Sequence, residues 1–316
     1  MTKLDIKLGL QIPLFEFPGV GPDKLFERVS DIARTAEASG FDSVWVMDHF
    51  EQIMGDPAAP ILEGYVVLAG IAARTERVNL GTLVTGVLYR NPAVLAKMVT
   101  SLDVLSRGRA VLGIGASWNE SEQEHYGIER VSVAERMDRL DEALEICRLM
   151  FTQDAPSFKG RYYEINEARN VPRPVRRDGI PIMVGGSGEK RTLRSVARYG
   201  DACNVFGDAE TIRHKMKILD EHCAAVGRDP REICRTALKT LIIDRNANDA
   251  AEKAKPVRDL RGADRFRIIG MAGTPDELRA QARELREAGL DGLIVNLPDA
   301  YDLETVALAG ETLSRL

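Results

Sequence analysis

The chain has 316 residues, of which 44% are hydrophobic and 29% charged, and its formal net charge is -5. This composition is ordinary for a globular protein, and the length suffices for one α/β barrel or two smaller domains. The acidic balance and the lack of a long basic run make nucleic acid and anionic membranes poor partners. The first residues lack a signal-peptide core and no apolar run reaches a membrane span, so we expect a cytoplasmic protein. The four cysteines have no CxxC spacing and are expected to be reduced and mostly buried, not to bind a metal.

Short apolar runs and helical patterns alternate along the chain. The apolar runs predict eight strands, at residues 7–12, 44–47, 78–84, 109–115, 181–185, 202–206, within 233–243 and at 292–296. The helical patterns, several of which begin with a capping residue or a proline, predict helices at residues 23–39, 64–75, 92–106, 132–151, 190–199, 211–226, 274–289 and 302–316. We expect loops at residues 51–60, 118–133 and 245–273, and a small hairpin at 158–164.

The alternation of strands and helices indicates parallel strands that are covered by helices. A count of eight such units favours a (β/α)8 barrel, formed as a single domain by residues 1–316. A doubly wound sheet has the same rhythm and is the alternative. In a barrel, the functional residues gather in the segments that follow the C-terminal ends of the strands.

Two ionisable residues, Asp48 and His49, stand directly after the second predicted strand. Histidine exchanges protons near neutral pH, so His49 is a candidate catalytic acid or base. In the alternative interpretation, Asp48 caps the following segment and His49 is a structural turn residue. The other histidines, His125, His214 and His222, lie in polar or helical surroundings and are expected to be structural.

A glycine-rich turn, Gly185-Gly186-Ser187-Gly188-Glu189, joins the fifth predicted strand to the next helix. Free backbone N–H groups and the helix dipole at such a turn favour a phosphate group. A tight turn that needs glycine at positive φ is the alternative. The turn lacks the Walker spacing, and the pair Gly113-x-Gly115 lacks the third glycine of a dinucleotide fingerprint because Trp118 stands there. Those two glycines better suit a flat ligand that lies against the backbone.

Five groups of residues together resemble the bacterial-luciferase-like family of flavin and deazaflavin oxidoreductases, specifically the branch that uses coenzyme F420. They are the segments 44–50, 80–84, 107–115 with 118–120, 185–188 and 273–278. The resemblance covers nearly the whole chain. It implies a luciferase-like (β/α)8 barrel with insertions after strands three to five and seven, a homodimer, and hydride transfer between the deazaflavin ring of F420 and a small organic substrate.

The resemblance also assigns roles to single residues. Asp48 would contact the ring of the cofactor, and His49 would act as the acid or base beside the hydride-transfer centre. Leu83 and Val84 would be joined by a non-prolyl cis peptide behind the ring. The other cofactor-binding residues would be Thr85, Ile114, Gly115 and Asn119 along the ring and ribityl chain, and Gly185, Gly186, Ser187, Gly188 and Glu189 around the phosphate.

Two positions depart from the sugar-phosphate members of that family. Ala116 stands where those members carry a catalytic glutamate, and Glu51-Gln52-Ile53 stands where they carry an active-site tryptophan. These departures argue against glucose 6-phosphate as the substrate. The substrate walls are expected from the least patterned segments, which are residues 13–19, 50–64, 118–133 and 245–273.

Two other functions remain open: an FMN-dependent monooxygenase on the same scaffold, and a flavin- or deazaflavin-binding protein without catalytic activity. His49 argues against the second, since a carrier needs no proton donor. F420 carries a polyglutamate tail, which basic residues near the phosphate turn could bind. Six basic residues flank this turn in sequence and either favour F420 or form a solvated face, namely Arg173, Arg176, Arg177, Lys190, Arg191 and Arg194.

Overall fold

The computed structural model describes residues 4–54 and 56–315, and its centre is a ring of parallel strands. The strands are β1 (Leu8–Ile12), β2 (Ser43–Val46), β3 (Asn79–Thr82), β4 (Thr85–Gly86), β5 (Ala110–Gly115), β6 (Phe158–Lys159), β7 (Glu164–Ile165), β8 (Ile182–Gly185), β9 (Ala202–Val205), β10 (Cys234–Ile243), β11 (Gly270–Gly273) and β12 (Gly292–Asn296). The ring runs β1-β2-β3-β5-β8-β9-β10-β12, and β12 pairs with β1 to close it. The predicted (β/α)8 barrel is confirmed, because a doubly wound sheet would be open.

The remaining strands lie outside the ring. β4 pairs with the end of β5, where Thr85 stands opposite Ile114. β11 pairs with the C-terminal part of β10, from Thr240 to Ile243. β6 and β7 form an antiparallel hairpin. This confirms the hairpin that the sequence predicts near residues 158–164.

Helices cover the outside of the ring. They are α1 (Leu25–Ser39), α2 (Gly64–Ala72), α3 (Pro92–Leu105), α4 (Glu120–His125), α5 (Val133–Thr152), α6 (Thr192–Tyr199), α7 (Ala209–Ala225), α8 (Ala247–Arg261), α9 (Ala263–Ile269), α10 (Pro275–Glu287) and α11 (Leu303–Leu313). Their apolar faces and the outward side chains of the strands form the main core, while Ile6, Trp45, Met183 and Ile294 belong to a second cluster inside the ring. Within the described ranges, no helix is both long and apolar enough to cross a bilayer.

Two segments that were expected to be loops contain regular structure. Residues 118–133 include α4, and residues 245–273 include α8, α9 and β11. The sequence of α4 is ESEQEH, which is entirely polar and therefore has no apolar period. α8 buries only Ala250 and Ala254, so its apolar period is equally faint. The two loop predictions are wrong for this reason.

Long segments follow three of the barrel strands at their C-terminal ends. They are residues 47–63 after β2, residues 116–132 after β5 and residues 244–269 after β10. The segments after β4 and β8 are shorter, at residues 87–91 and 186–191. The three long segments are therefore the parts of the chain that can build walls around the mouth of the barrel.

The four cysteines are buried and free, as expected.

Candidate active site

A cavity of about 720 Å³ opens at the C-terminal ends of the barrel strands. The ring strands contribute polar side chains to its lining, among them Gln11, Asn204, Thr240 and Asn296. The long segments after β2 and β5 contribute Ile53, Met54 and Trp118, and α8 and α9 contribute Arg261, Arg265, Ile268 and Ile269. This size is that of a site for a cofactor or small ligand. A second hollow, of about 830 Å³, lies between the C-terminal turns of α1 and α2 at the opposite end of the barrel and is lined mainly by charged side chains.

His49 lines the cavity and is paired with a carboxylate that lies behind it. Its Nδ1 atom is 2.9 Å from Oε2 of Glu122, a side chain of α4 that is fully buried. The rings of Tyr89 and Trp118 stand edge-on to the imidazole, at centroid distances of 6.4 and 5.7 Å. The pairing joins the segment after β2 to the segment after β5.

Glu122 accepts several hydrogen bonds in addition to the contact with His49. The backbone N–H groups of Phe50 and Glu51 donate to its Oε1 at 2.6 and 3.2 Å, and the Tyr89 hydroxyl donates to its Oε2. Burial raises the pKa of Glu122, but the hydrogen bonds outweigh burial, and the net pKa lies below its ordinary value. Burial and the nearby Glu122 carboxylate raise the pKa of Tyr89, which therefore stays a donor. Glu122 is thus an ionised acceptor near neutral pH.

Asp48 does not line the cavity, although the resemblance predicts a contact with the cofactor ring. Its two carboxylate oxygens accept from Nη1 and Nη2 of Arg90 at 2.6 and 3.0 Å. Arg90 also bonds to Glu63, and its guanidinium lies over the ring of Tyr65 at 4.9 Å. The buried charge of Asp48 is therefore neutralised within the protein, and the pair fixes the chain beside His49.

The peptide bond between Leu83 and Val84 is cis, as the resemblance predicts. Both residues line the cavity, together with Thr85 and Gly115. Val84 packs directly against glycines: a Cβ atom at Gly115 would lie 2.9 Å from Val84 Cγ2, and one at Gly185 would lie 2.7 Å from Val84 Cγ1. Side chains at these two positions would therefore collide with Val84.

Asn296 carries a polar atom that has no partner within the described chain. Its Nδ2 donates to Oε1 of Gln11 at 3.3 Å, and Gln11 Nε2 in turn donates to the carbonyl of Leu83 at 3.2 Å. Oδ1 of Asn296 is buried without a hydrogen bond. Buried acceptors are normally satisfied, so this oxygen is suited to an N–H group of a bound molecule. A flat heterocycle with an N–H edge, such as a flavin or deazaflavin, fits this requirement.

The glycine-rich turn lies only partly at the cavity. Gly185 and Gly186 line it, together with Thr192 at the start of α6. Gly186 has a φ of +128°, and its N–H donates to the carbonyl of Asn204 at 3.0 Å. The rest of the turn is tied to the protein, since Lys215 Nζ donates to the Ser187 carbonyl at 2.8 Å. The turn thus shows the positive φ of the alternative interpretation, and two of its residues line the cavity.

The structure brings seven of the predicted site residues together around the cavity: His49, Leu83, Val84, Thr85, Gly115, Gly185 and Gly186. Six others do not line it, namely Asp48, Ile114, Asn119, Ser187, Gly188 and Glu189. Ile114 belongs to the main core, and Asn119 caps α4 by accepting from the N–H of Glu122. The contacts of these six residues are therefore with the protein itself.

Several lining residues escaped the sequence analysis. Gln11 and Asn296 are polar residues at the C-terminal ends of the apolar strands β1 and β12, and this position is the signal that could have identified them. Tyr89, Arg261 and Arg265 carry no such signal, because their segments have no apolar period. Glu122 also escaped, because it lies 73 residues from His49 in a helix without apolar residues.

The basic residues near the glycine-rich turn in sequence do not gather at the cavity. Arg176 donates to the Gly108 carbonyl and to Asn79 Oδ1 at 2.5 and 2.9 Å, at the N-terminal ends of β5 and β3. Arg191 and Arg194 form ion pairs with acidic residues of α5. Arg173 bonds to the carbonyl of Gln153, and neither Arg177 nor Lys190 lines the cavity. None of these six residues lines the cavity, so its lining does not support the tail-binding interpretation, which stays a prediction beside the alternative of a solvated face.

The other histidines and acids give no further site. His125 pairs with Glu51 at 2.9 Å, His214 lies 3.4 Å from Glu189, and His222 bonds to the Glu189 carbonyl at 2.8 Å. Among residues 4–54 and 56–315, no three histidine, cysteine, aspartate or glutamate side chains are grouped so that they could hold a metal ion. The cavity at the mouth of the barrel is thus the site to interpret.

A closed parallel barrel whose mouth holds a histidine–carboxylate pair beside a cavity of about 720 Å³ is the architecture of a barrel enzyme. The chain belongs to the luciferase-like monooxygenase family, whose profile matches residues 6–265. A curated relative, the F420-dependent glucose-6-phosphate dehydrogenase of Kineococcus radiotolerans, is 30% identical over 93% of this chain and 91% of its own length. The family indicated by the sequence motifs is confirmed, and the relative belongs to the indicated F420 branch.

Two solved structures share the fold. An F420-dependent secondary alcohol dehydrogenase in complex with an F420-acetone adduct aligns with a TM-score of 0.81 and 23% identity, over 98% of this chain and 99% of the other. The EDTA monooxygenase of Chelativorans sp. BNC1 aligns with a TM-score of 0.83 and 15% identity, over 99% of this chain and 94% of the other. Both confirm the luciferase-like barrel, and at these identities they support the fold alone.

Proposed function

We propose that the protein is an F420-dependent oxidoreductase that transfers a hydride between the deazaflavin ring and a small organic substrate. The observation that carries the proposal is His49, a proton-transfer group that lines the cavity and is held by a buried carboxylate. The F420-dependent glucose-6-phosphate dehydrogenase of Kineococcus radiotolerans supports the choice of F420, since it is similar to this protein over nearly the whole chain. A carrier protein without catalytic activity needs no such histidine.

The cavity residues fit the proposed cofactor. Asn296 Oδ1 would accept a ring N–H, and Val84 would support the ring from behind. Gly115 and Gly185 allow Val84 to pack against the backbone, and Gly186 with Thr192 would lie near the phosphate. When bound, F420 supplies a ring carbon that accepts or releases hydride, and the protein supplies orientation and proton transfer.

The chain's own residues account for the proton that accompanies the hydride. The Glu122 carboxylate occupies Nδ1 of His49, which leaves Nε2 as the nitrogen that can exchange a proton with a substrate. Ile53, Ala116 and Trp118 line the same cavity as His49. Glu51-Gln52-Ile53 and Ala116 stand where sugar-phosphate members are expected to carry a tryptophan and a glutamate, so we propose a substrate other than glucose 6-phosphate.

Two arginines at the cavity favour F420 over FMN. Arg261 and Arg265 both line it, and within the described chain neither guanidinium has an ion pair or hydrogen bond. Burial, and then the charge of Arg265, lower the pKa of Arg261. Two adjacent cations without an acidic partner are suited to an anionic ligand, and the glutamate tail of F420 is one. They take the role that the sequence had suggested for residues near the turn.

Fluorescence titration of the purified protein with F420 and with FMN tests the proposal. We expect F420 to bind at least about tenfold more tightly, a difference of roughly 1.4 kcal/mol. Equal binding, or tighter binding of FMN, would overturn the assignment and favour a monooxygenase. A screen in which oxidised F420 is mixed with a panel of alcohols would then identify a substrate by the loss of F420 absorbance.

We also propose that the protein is a homodimer. Val66 on α2 and Val94 on α3 are 73% and 54% exposed, and these neighbouring helices pack against each other. A contiguous exposed apolar patch marks a protein interface, and in the proposed dimer these two side chains would belong to such a patch. Light scattering after gel filtration should give twice the mass of the 34.9 kDa chain. A monomer at micromolar concentration would contradict this proposal.

A further inference from the structure

We propose that Glu122 is a positioning residue that keeps the proton of neutral His49 on Nδ1, so that Nε2 accepts a proton from a substrate O–H group. This inference deepens the proposed function and rests on it for the substrate, but the state of the imidazole can be measured without cofactor or substrate.

The first argument is the fixed position of the carboxylate. Glu122 is fully buried and receives two backbone N–H groups on Oε1, from Phe50 and Glu51, and a hydroxyl from Tyr89 on Oε2. Its Oε2 lies 2.9 Å from Nδ1 of His49. Donors on both oxygens hold the carboxylate in one orientation and stabilise its charge. Glu122 cannot turn away from the imidazole without losing several hydrogen bonds.

The second argument is the chemistry of the contact. An ionised carboxylate only accepts hydrogen bonds, so a neutral imidazole at 2.9 Å must place its hydrogen on the nitrogen that faces it. Nδ1 of His49 is therefore the donor, and Nε2 carries the lone pair. A histidine in this state can take up a proton at Nε2, and the resulting imidazolium is stabilised by the carboxylate.

The third argument is the absence of a competing charge at the imidazole. The preceding acid, Asp48, is held by both ends of the Arg90 guanidinium. Tyr89 remains protonated because burial and Glu122 raise its pKa. The charged and titratable groups beside His49 include Glu122 from α4, Tyr89 after β4, and Asp48, whose partner Arg90 also bonds to Glu63. Glu122 is the negative group that touches the ring.

These contacts define the proton step. The O–H bond of the alcohol breaks, and its proton goes to Nε2 of His49, which becomes an imidazolium beside Glu122. The C–H bond of the carbon that carries this O–H group would break, and its electron pair would leave with the hydrogen as a hydride. Bound oxidised F420 would supply the ring carbon that accepts it, so that the alcohol would become a carbonyl compound. The proton and the hydride are both accounted for.

Nitrogen-15 NMR of the imidazole groups tests the tautomer directly in the protein without cofactor. At a pH where His49 is neutral, we expect the proton on Nδ1 in the wild type, with the His49→Gln variant used to assign the signal. In Glu122→Gln, the amide can donate to Nδ1, and we expect the proton to move to Nε2. Glu124→Gln is the matched control, because Glu124 is an exposed carboxylate of the same helix. A proton on Nε2 in the wild type would overturn the proposal.

Kinetics test the consequence. With oxidised F420 and 2-propanol, or whichever alcohol the screen finds most active, Glu122→Gln should lower kcat at least about 100-fold, as expected for a misplaced catalytic proton. KM and the affinity for F420 should change little, and the pH profile of kcat should change because His49 loses its anionic partner. An unchanged pH profile, together with weaker binding of both the substrate and F420, would mean that Glu122 is only structural.

Two controls keep the outcomes distinct. Tyr89→Phe keeps the Glu122 carboxylate and should retain the Nδ1 proton with only a several-fold loss of kcat, so it reports on the network if Glu122→Gln folds poorly. If the wild type shows the expected tautomer but does not bind F420, the proposed function fails while the positioning role of Glu122 stands. If F420 binds and the proton of His49 lies on Nε2, the positioning role of Glu122 fails while the proposed function stands.

Discussion

Two charged pairs lie side by side after β2, and they differ in the cation that meets the buried acid. Asp48 is paired with Arg90, a permanent cation that donates to both of its oxygens. Glu122 is paired with His49, a titratable group that lines the cavity. A buried acid compensated by arginine holds the fold together, whereas one compensated by histidine can support the movement of a proton. Adjacent residues in sequence thus have different roles.

The largest effect that separates the two pairs is on stability. Asp48→Asn should lower the free energy of unfolding by about 3 to 5 kcal/mol, because it leaves Arg90 partly buried without its bidentate partner. Urea denaturation measures this change. Glu63→Gln is the matched control, since Glu63 contacts the same arginine from a more exposed position, and it should cost less than about 1 kcal/mol. A loss below 1 kcal/mol for Asp48→Asn would contradict the claim that the Asp48–Arg90 pair stabilises the fold.

An intermediate effect should appear in cofactor affinity. Changing Arg261 and Arg265 together to Gln should weaken F420 binding about tenfold, or roughly 1.4 kcal/mol, and leave the binding of FMN within about twofold, since FMN has no glutamate tail. Fluorescence titration with both cofactors measures this difference. Arg191→Gln is the control, because Arg191 is already paired with Asp138. An equal loss of affinity for both cofactors would place the two arginines at the shared phosphate instead of the tail.

The smallest effect concerns the pH dependence of stability. The pKa of Glu122 is lowered in the folded protein, so the stabilisation from its ionised form is complete above the ordinary pKa of 4.5 and is lost as the pH falls through the folded value. The difference in unfolding free energy between the wild type and Glu122→Gln should therefore shrink below about pH 4.5. Denaturation curves at several pH values measure it. A constant difference down to pH 3 would show that the carboxylate is not held as an anion.

The sequence predicted the barrel because each strand and packed helix carries its own apolar period. Val44 to Met47 and the following Asp48-His49 pair, for example, already mark the end of a buried strand. The resemblance added the cis peptide between Leu83 and Val84 and the glycines around them. Local pattern and known motifs were sufficient for these features.

The partners of the predicted residues could not be found in the same way. The hydrogen bond between His49 and Glu122 joins residues 73 positions apart, and Arg90 reaches Asp48 across 42 positions. Both contacts depend on how the segments after β2, β4 and β5 fold over the mouth of the barrel. α4 and α8 bury few apolar side chains, so no period identified these helices or the side chains that they bring to the cavity.

The most direct test of the account is the reduction of F420 by an alcohol, measured in the wild type and in His49→Gln. We expect the wild-type protein to bleach the absorbance of oxidised F420 in the presence of an alcohol, and the variant to do so at least about 100-fold more slowly while it binds F420 with similar affinity. A variant that turns over as fast as the wild type, or a wild type that is active with FMN and not with F420, would contradict the account.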